Sequence, residues 1–177
     1  PVLIGVAVNQ INEMVDRTLA STLVEGSISA LNYANKLNGF VMALFITSVG
    51  AVIYPMLSKL SSEDNKEKFI SSVVQSINSV ILLVIPISIG AIVLATPIVK
   101  LLFQRGEFDA RATSMTAIAL IMYSIGMVAF GLRDIIGKVF YALQDTKTPM
   151  INGAIAMIMN IVLNIILVKY LQLAGLA

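Results

Sequence analysis

The sequence predicts an all-α protein, a polytopic transmembrane helix bundle with about five spanning helices. Of its 177 residues, 58% are hydrophobic and 12% are charged, about half the charged fraction of an ordinary soluble domain. The charges are clustered, which leaves four charge-free intervals, each longer than the roughly 18 apolar residues that mark a spanning helix. These intervals are 37–58, 69–99, 112–132 and 148–168. None shows the strict alternation expected of a transmembrane strand.

Turn and cap residues set the boundaries of the predicted helices. The predicted helices are 2–24, 28–60, 69–103, 110–143 and 149–170. Gly26 is expected to end the first helix, and Ser27 to cap the second. Asp109 is expected to cap the fourth helix, while Thr148 and Pro149 provide a cap and a first-turn proline for the fifth.

The missing residue types exclude several kinds of chemistry. The sequence contains no Cys and no His, so thiol chemistry, zinc fingers, Ser–His triads and imidazole proton relays are excluded. A net charge of +2, widely dispersed, does not indicate a nucleic-acid surface. We therefore expect no nucleic acid partner and no organic cofactor.

The termini predict that the sequence is a fragment of a larger membrane protein. The chain begins at Pro1, lacks a basic n-region, and stops at Ala177 just after an apolar helix.

If the helices alternate in direction, Lys and Arg are slightly more frequent at the end that carries Lys66. The positive-inside rule then gives a weak preference for a cytoplasmic Lys66 connection.

Polar groups within two apolar helices are the candidate site residues. Glu13, Asp16 and Arg17 lie near the middle of the first helix, where charge is costly unless it faces protein or a water-filled cavity. Glu13 can pair with Arg17 at i+4, which leaves Asp16 without a local partner. Asp16 therefore indicates either a cavity or cation site, or a pairing with helices outside the chain. Asn160 and Asn164 share one face of the fifth helix and indicate either helix–helix contact or a site.

Three segments closely resemble one family of membrane transporters. They are EGSISALNYANKL at 25–37, LFQRGEFD at 102–109 and FYALQDTKTP at 140–149. They resemble MurJ (MviN-like) proteins, bacterial lipid II flippases of the multidrug/oligosaccharidyl-lipid/polysaccharide exporter superfamily. The resemblance implies two six-helix lobes plus a terminal pair, of which residues 1–177 would be the seventh to eleventh helices, an incomplete second lobe.

The same resemblance implies an activity, a location and partners. Lipid II, the undecaprenyl-diphosphate-linked peptidoglycan precursor for cell wall biogenesis and cell shape, would cross the bacterial inner (plasma) membrane by alternating access between the lobes. The expected partners are lipid II, membrane lipids and the missing N-terminal lobe of the same multi-pass protein.

Site residues follow from the resemblance as well. One member of a basic triad that lines the family's cavity falls in segment 32–37, where this sequence has Lys36 instead of the common Arg. Lys36 is the last charge before the interval 37–58, so we expect it at the inner mouth of the cleft, in contact with the substrate diphosphate. Arg17 is the other basic residue expected at that depth.

A sodium site is also implied, between the seventh, eleventh and twelfth helices of the family. Asp16 matches its carboxylate, and Asn160 and Asn164 fall at its eleventh-helix positions, one of which is often acidic in relatives. We therefore expect a possible sodium ion at Asp16, Asn160 and Asn164, with the twelfth-helix ligands outside the chain.

Three alternatives remain at this stage. Another exporter of the same superfamily could carry a different polyprenyl-linked oligosaccharide or a drug. A membrane-embedded lipid-diphosphate enzyme would need a compact polar cluster, which only Arg133 and Asp134 approach. A structural scaffold gives no reason for Asp16 at mid-membrane. We expect a transporter and not an enzyme.

Overall fold

The computed structural model describes residues 14–15, 18–63 and 65–176. Within these ranges the chain is helical almost throughout and contains no strand, so the predicted all-α class is confirmed. The helices are α1 Ser27–Ser62, α2 Lys66–Val93, α3 Ala95–Phe103, α4 Ala110–Ala142 and α5 Lys147–Leu171. By length and composition, α1, α2, α4 and α5 can each cross a membrane. The predicted first helix, 2–24, lies mostly outside the described residues.

Helix α4 is the centre of the described bundle. It packs against α1, α2 and α3, while α5 makes few contacts with it. In the most apolar 18-residue window of each helix, 39% of the window is buried in α4 but only 6% in α5. Many large apolar side chains of α5 are exposed, including Ile151, Ile155, Ile158 and Val162. In the described part of the chain, α5 therefore leaves most of its surface to lipid or to other helices.

Two apolar clusters hold α4 in place, one in each half of the bundle. The first contains Ala34 of α1, Val99 of α3 and Leu120 of α4. The second surrounds Met127 and includes side chains of α1, α2 and α4; its buried members are Ile46, Ile53, Leu57, Val80, Val84, Met127, Ile135 and Ala142. Because the starts of α1 and α4 meet in one cleft and their later parts in another, the two helices run parallel.

The N-caps of α1 and α4 test the helix starts that were predicted from single cap residues. Gly26, not Ser27, occupies the N-cap of α1, with φ of 94°, a left-handed conformation that favours glycine. The Ser27 hydroxyl instead donates to the carbonyl of Val24 at 2.6 Å. The predicted Ser27 cap is therefore wrong, because its hydroxyl is used by the preceding turn. The Asp109 cap is confirmed, since its Oδ1 accepts from the Ala112 N–H at 2.7 Å.

Two further caps differ from the expected pattern. Asn65 accepts from the Lys68 N–H at 3.2 Å and starts α2 at Lys66, which is three residues before the predicted start. Asp145, not Thr148, precedes α5 and accepts from the Lys147 N–H at 3.0 Å. The Thr148 hydroxyl also donates to Asp145, at 2.6 Å, and this hydrogen bond lowers the pKa of that carboxyl from its usual value. The cap therefore stays ionised at lower pH than an ordinary Asp would.

The predicted third helix, 69–103, is divided in two. Helix α2 ends at Val93 and α3 begins at Ala95, with Leu94 between them. Pro97 explains the break, because it has no N–H to donate to the carbonyl of Val93 and its ring would clash with that group. Pro86, by contrast, lies inside α2 without ending the helix.

Helix α1 has an irregular turn where it meets α2 and α4. Residues Met42–Thr47 form a π-helical turn within α1, a feature that is rare and often associated with functional sites. Ile46 projects from this turn into the second apolar cluster and is 1% exposed. Gly131 of α4 faces it: a Cβ there would lie 2.8 Å from Ile46 Cδ1 and 3.1 Å from Val80 Cγ1. The three helices therefore approach closely because residue 131 has no side chain.

We predict that Gly131→Ala destabilises the full-length protein, whereas Gly137→Ala in the same helix does not. Overpacking costs about 1–3 kcal/mol, more than the gain of up to ~1 kcal/mol in helix propensity. A Cβ at Gly137 would meet nothing within 4 Å, so Gly137→Ala keeps only the propensity gain. Thermal unfolding in detergent measures both. A Gly131→Ala protein as stable as Gly137→Ala would contradict the close approach.

Candidate functional site

Lys36 lies on α1, nine residues after the helix begins, and its side chain is exposed. Its Nζ lies 5.6 Å from the centroid of the Tyr33 ring, which is one turn earlier on the same helix. Among the described residues, the ion pairs involve Lys59 with Glu63 and Lys138 with Asp134, and none involves Lys36. Within that part of the chain, the Lys36 ammonium is therefore not neutralised by a carboxylate and could meet an anion.

The surface around Lys36 forms a continuous stripe of small and polar residues, which we call the α1 stripe. Its members follow a spacing of three or four residues, all of them exposed: Ser29, Asn32, Lys36, Gly39, Ala43 and Thr47. This spacing places them on one helix face. The opposite face of α1 is buried on the bundle and includes Ala30, Ala34 and Asn38.

The α1 stripe differs from a lipid-facing surface. Its neighbours Phe40 and Leu44 are large, apolar and exposed, as expected in contact with lipid tails. A Lys beside an Asn and two small residues instead suits contact with water or with another part of the protein. The sequence contains this pattern, because the spacing from Ser29 to Thr47 is visible without coordinates. Lys36 was predicted as a site residue from the sequence, whereas the stripe around it was not.

Three aromatic rings support the start of the stripe. The Tyr33 ring lies 4.8 Å from that of Phe103 and 5.2 Å from that of Phe108, the second pair meeting edge to face at 89°. Phe103 and Phe108 are 5.9 Å apart. Phe103 ends α3 and Phe108 belongs to the connection to α4, so three elements of the chain meet at Tyr33. All three rings fall within the segments that carry the family resemblance, which is the signal that could have indicated them.

The predicted cation ligands are brought together in part. Asn164 is 6% exposed, and its Nδ2 donates to Oδ1 of exposed Asn160 at 3.0 Å. The two amides therefore form one unit on α5. An amide oxygen has two lone pairs, so Asn160 Oδ1 can accept this bond and also ligate a hard cation. The donor chemistry thus fits sodium. Asp16 and Arg17 lie outside the described residues.

A second polar cluster lies near the end of α4. Asp134 forms an ion pair with Lys138, one turn later on the same helix. A Cβ at Gly50 of α1 would lie 2.5 Å from Lys138 Cε, so Lys138 lies directly across that glycine. A cleft of about 760 Å³ adjoins the pair and is lined by Arg133, Tyr54 and Asn152, among others.

Lys36 and the Lys66 connection lie toward opposite ends of the bundle. Between Lys36 and the end of α1 at Ser62 there is about 39 Å of helix. Lys36 lies instead toward the end that holds Phe103 and Phe108. A cytoplasmic Lys66 connection and a position of Lys36 at the inner mouth of the cleft are therefore incompatible expectations.

The sequence matches one family of known proteins over its full length. The family model for lipid II flippase MurJ matches residues 1–177. The probable lipid II flippase MurJ of Vibrio cholerae serotype O1 is 40% identical over 177 residues, which cover all of this chain and 34% of the relative. Lipid II flippase MurJ of Burkholderia cenocepacia is 32% identical over 176 residues, which cover 99% of this chain and 34% of the relative.

A solved structure agrees with these relatives. Lipid II flippase MurJ in an inward closed conformation matches with a TM-score of 0.87 at 32% identity, over 98% of this chain and 36% of that chain. The chain therefore spans about a third of the length of the curated relatives that it matches. The likeness extends over the whole described bundle, α1 to α5.

Proposed function

Because the chain belongs to the lipid II flippase MurJ family, we propose that it is part of a transporter that moves lipid II across the bacterial inner membrane. The relatives are named as flippases, which describes transport and not catalysis. The chain would supply much of the second lobe, and a first lobe in the rest of the protein would complete the cleft. The observation that carries this proposal is the exposed α1 stripe with Lys36 in it.

The α1 stripe gives the proposal a physical mechanism. A helix face of polar and small residues that borders a cleft lets water and a hydrophilic headgroup pass beside apolar helices. Rocking of one lobe against the other then opens the cleft to each side of the membrane in turn. The stripe has room at Gly39, which has no side chain, and at Ala43, which has a small one. Even a Cβ at Gly39 would meet nothing within 4 Å.

Lys36 supplies the charge that a diphosphate needs. A hydrogen bond to a charged group contributes roughly 1.5–3 kcal/mol when it replaces contact with water. Lysine offers a compact charge with three N–H donors, whereas arginine offers a rigid fork that holds two phosphate oxygens at once. We therefore propose that Lys36 attracts the headgroup as a point charge, and that arginine at this position would retain the contact.

We predict that the full-length gene restores growth to bacterial cells depleted of their own lipid II flippase. In the same cells Lys36→Arg should also restore growth, while Lys36→Gln should not, because flipping falls roughly tenfold or more with the loss of the charged hydrogen bond. Growth, together with flipping of lipid II in reconstituted vesicles, measures the effect.

Lys100→Gln is the matched control, since Lys100 is an exposed lysine in the last turn of α3, at the same end of the bundle. It should restore growth as the unaltered gene does. Failure of the unaltered gene would favour an exporter of another polyprenyl-linked oligosaccharide or of a drug. Full flipping by Lys36→Gln would assign Lys36 to anchoring the helix at the membrane interface.

We propose further that Asn160 and Asn164 hold a sodium ion together with Asp16. Support comes from the amide pair on α5, one member of which is buried. The ion would neutralise the Asp16 carboxylate within the membrane, and the residues would thereby link cation binding to the packing of α5.

Sodium should accordingly stabilise the full-length protein, by about 2.7 kcal/mol at a hundred times its Kd. We predict that Asn164→Leu abolishes the rise in Tm that sodium produces over equal potassium, as should Asp16→Asn. Asn78→Leu, at an exposed position of α2, is the control and should leave the sodium-dependent rise unchanged. A normal sodium response in the Asn164→Leu protein would eliminate this ligand.

A further inference from the structure

We propose that Tyr33 is a positioning residue for Lys36, whose ring holds the lysine ammonium where it meets the diphosphate of the substrate. This inference rests on the proposed function, in which Lys36 contacts the headgroup. It adds a role for the aromatic cluster of Tyr33, Phe103 and Phe108, which joins α1 to the connection between α3 and α4.

The geometry of the pair is that of a cation–π contact. Lys36 Nζ lies 5.6 Å from the Tyr33 centroid, inside the limit of about 6 Å for an effective interaction. The two residues are three apart on α1, so they are neighbours on the helix surface. The ring takes up only one side of the ammonium group. The N–H donors on the other side remain available for phosphate oxygens.

The ring is itself held in place from two directions. Phe103 packs against it at 4.8 Å in a tilted arrangement, and Phe108 meets it edge to face at 5.2 Å. Both phenylalanines pack against the first apolar cluster, whose buried members include Val99 and Ala117. The Tyr33 ring is therefore a fixed surface, anchored to the core of the bundle by neighbours outside its own helix.

A fixed ring matters because the lysine is long and flexible. An unrestrained Lys side chain loses rotamer freedom when it binds, and that loss weakens binding. Lysine also lacks the rigid fork by which arginine arranges its own donors. The Tyr33 ring restricts Lys36 before the substrate arrives and so reduces this loss. Arginine would need the ring less, because its donors are already arranged.

The aromatic cluster also links the connection between α3 and α4 to the headgroup contact, because Phe108 packs against the Tyr33 ring. Phe108 belongs to that connection, which turns at Gly106 with φ of 58°. Any displacement of this connection that moves Phe108 would release one side of the Tyr33 ring. Phe108→Leu should therefore weaken substrate binding in the same direction as loss of the tyrosine ring, although residue 108 is not on α1.

A double-mutant cycle in the full-length protein tests the inference. Binding of lipid II with a shortened prenyl chain is measured in detergent for Tyr33→Leu and Tyr33→Phe, each with Lys36 and with Lys36→Gln. We expect Tyr33→Leu to raise Kd about 3- to 10-fold when Lys36 is present. Tyr33→Phe, which keeps the ring face, should stay within about twofold of the unaltered protein. In the Lys36→Gln background, Tyr33→Leu should have no further effect.

The outcomes separate this inference from the proposed function. If Lys36→Gln binds lipid II normally, the proposed headgroup contact itself fails. If Lys36→Gln weakens binding but Tyr33→Leu costs equally in both backgrounds, Tyr33 is only structural and the positioning role is overturned. Phe40→Leu, an exposed aromatic residue outside the cluster, is the control and should bind normally. Should Tyr33→Leu not fold, Phe108→Leu takes its place, and the same cycle with Lys36→Gln decides.

Discussion

In the hydrocarbon of a membrane, apolar contact alone gives little drive for helices to associate, so close packing has to hold α1 and α2 against α4. Gly131 allows that packing where Ile46 and Val80 meet. Halfway along α4, the Ser88 hydroxyl of α2 donates to the Ser124 carbonyl, a polar contact where no water competes. The central position of α4 follows from these contacts, and so do the orientations of α1 and α2.

The packing of α1 on α4 decides which side of α1 is available for function. Residues Ala30, Ala34 and Asn38 are buried on the bundle, so the α1 stripe, on the opposite face, points away from it. The same orientation carries Tyr33 to the side where Phe103 and Phe108 can reach it. Burial on one face, polarity on the other and aromatic support at the border therefore have a single cause.

Much of the fold was predictable because charge is scarce inside a membrane. The four charge-free intervals correspond to the four helices that are long and apolar enough to span it. The ends were less predictable, because several residues compete for each cap. Asn65 starts its helix three residues before the predicted start, and Asp145 caps the helix for which Thr148 was the expected cap. Pro97 divides the third predicted helix because its missing N–H acts locally.

The polar residues of the candidate site were predictable from the sequence, but the aromatic contacts that hold Tyr33 beside Lys36 were not. Lys36 could be identified from its place at the edge of an apolar interval, and the pairing of Asn160 with Asn164 from their i,i+4 spacing. The contact of Tyr33 with Phe103 joins residues that are far apart in sequence, so a single sequence holds no periodic signal for it. The roles of Asp16 and Arg17 stay predictions, because both lie outside the described residues.

Thiol accessibility tests most directly whether the α1 stripe faces a water-filled cleft. The chain contains no Cys, so a single Cys can be introduced at each chosen position of a full-length protein otherwise free of Cys. Gly39→Cys and Ala43→Cys should react with a charged thiol reagent, and lipid II should protect them. Leu44→Cys and Val52→Cys, at exposed apolar positions, should remain unreactive. Equal labelling at all four positions, or labelling only at residues 44 and 52, would contradict the account.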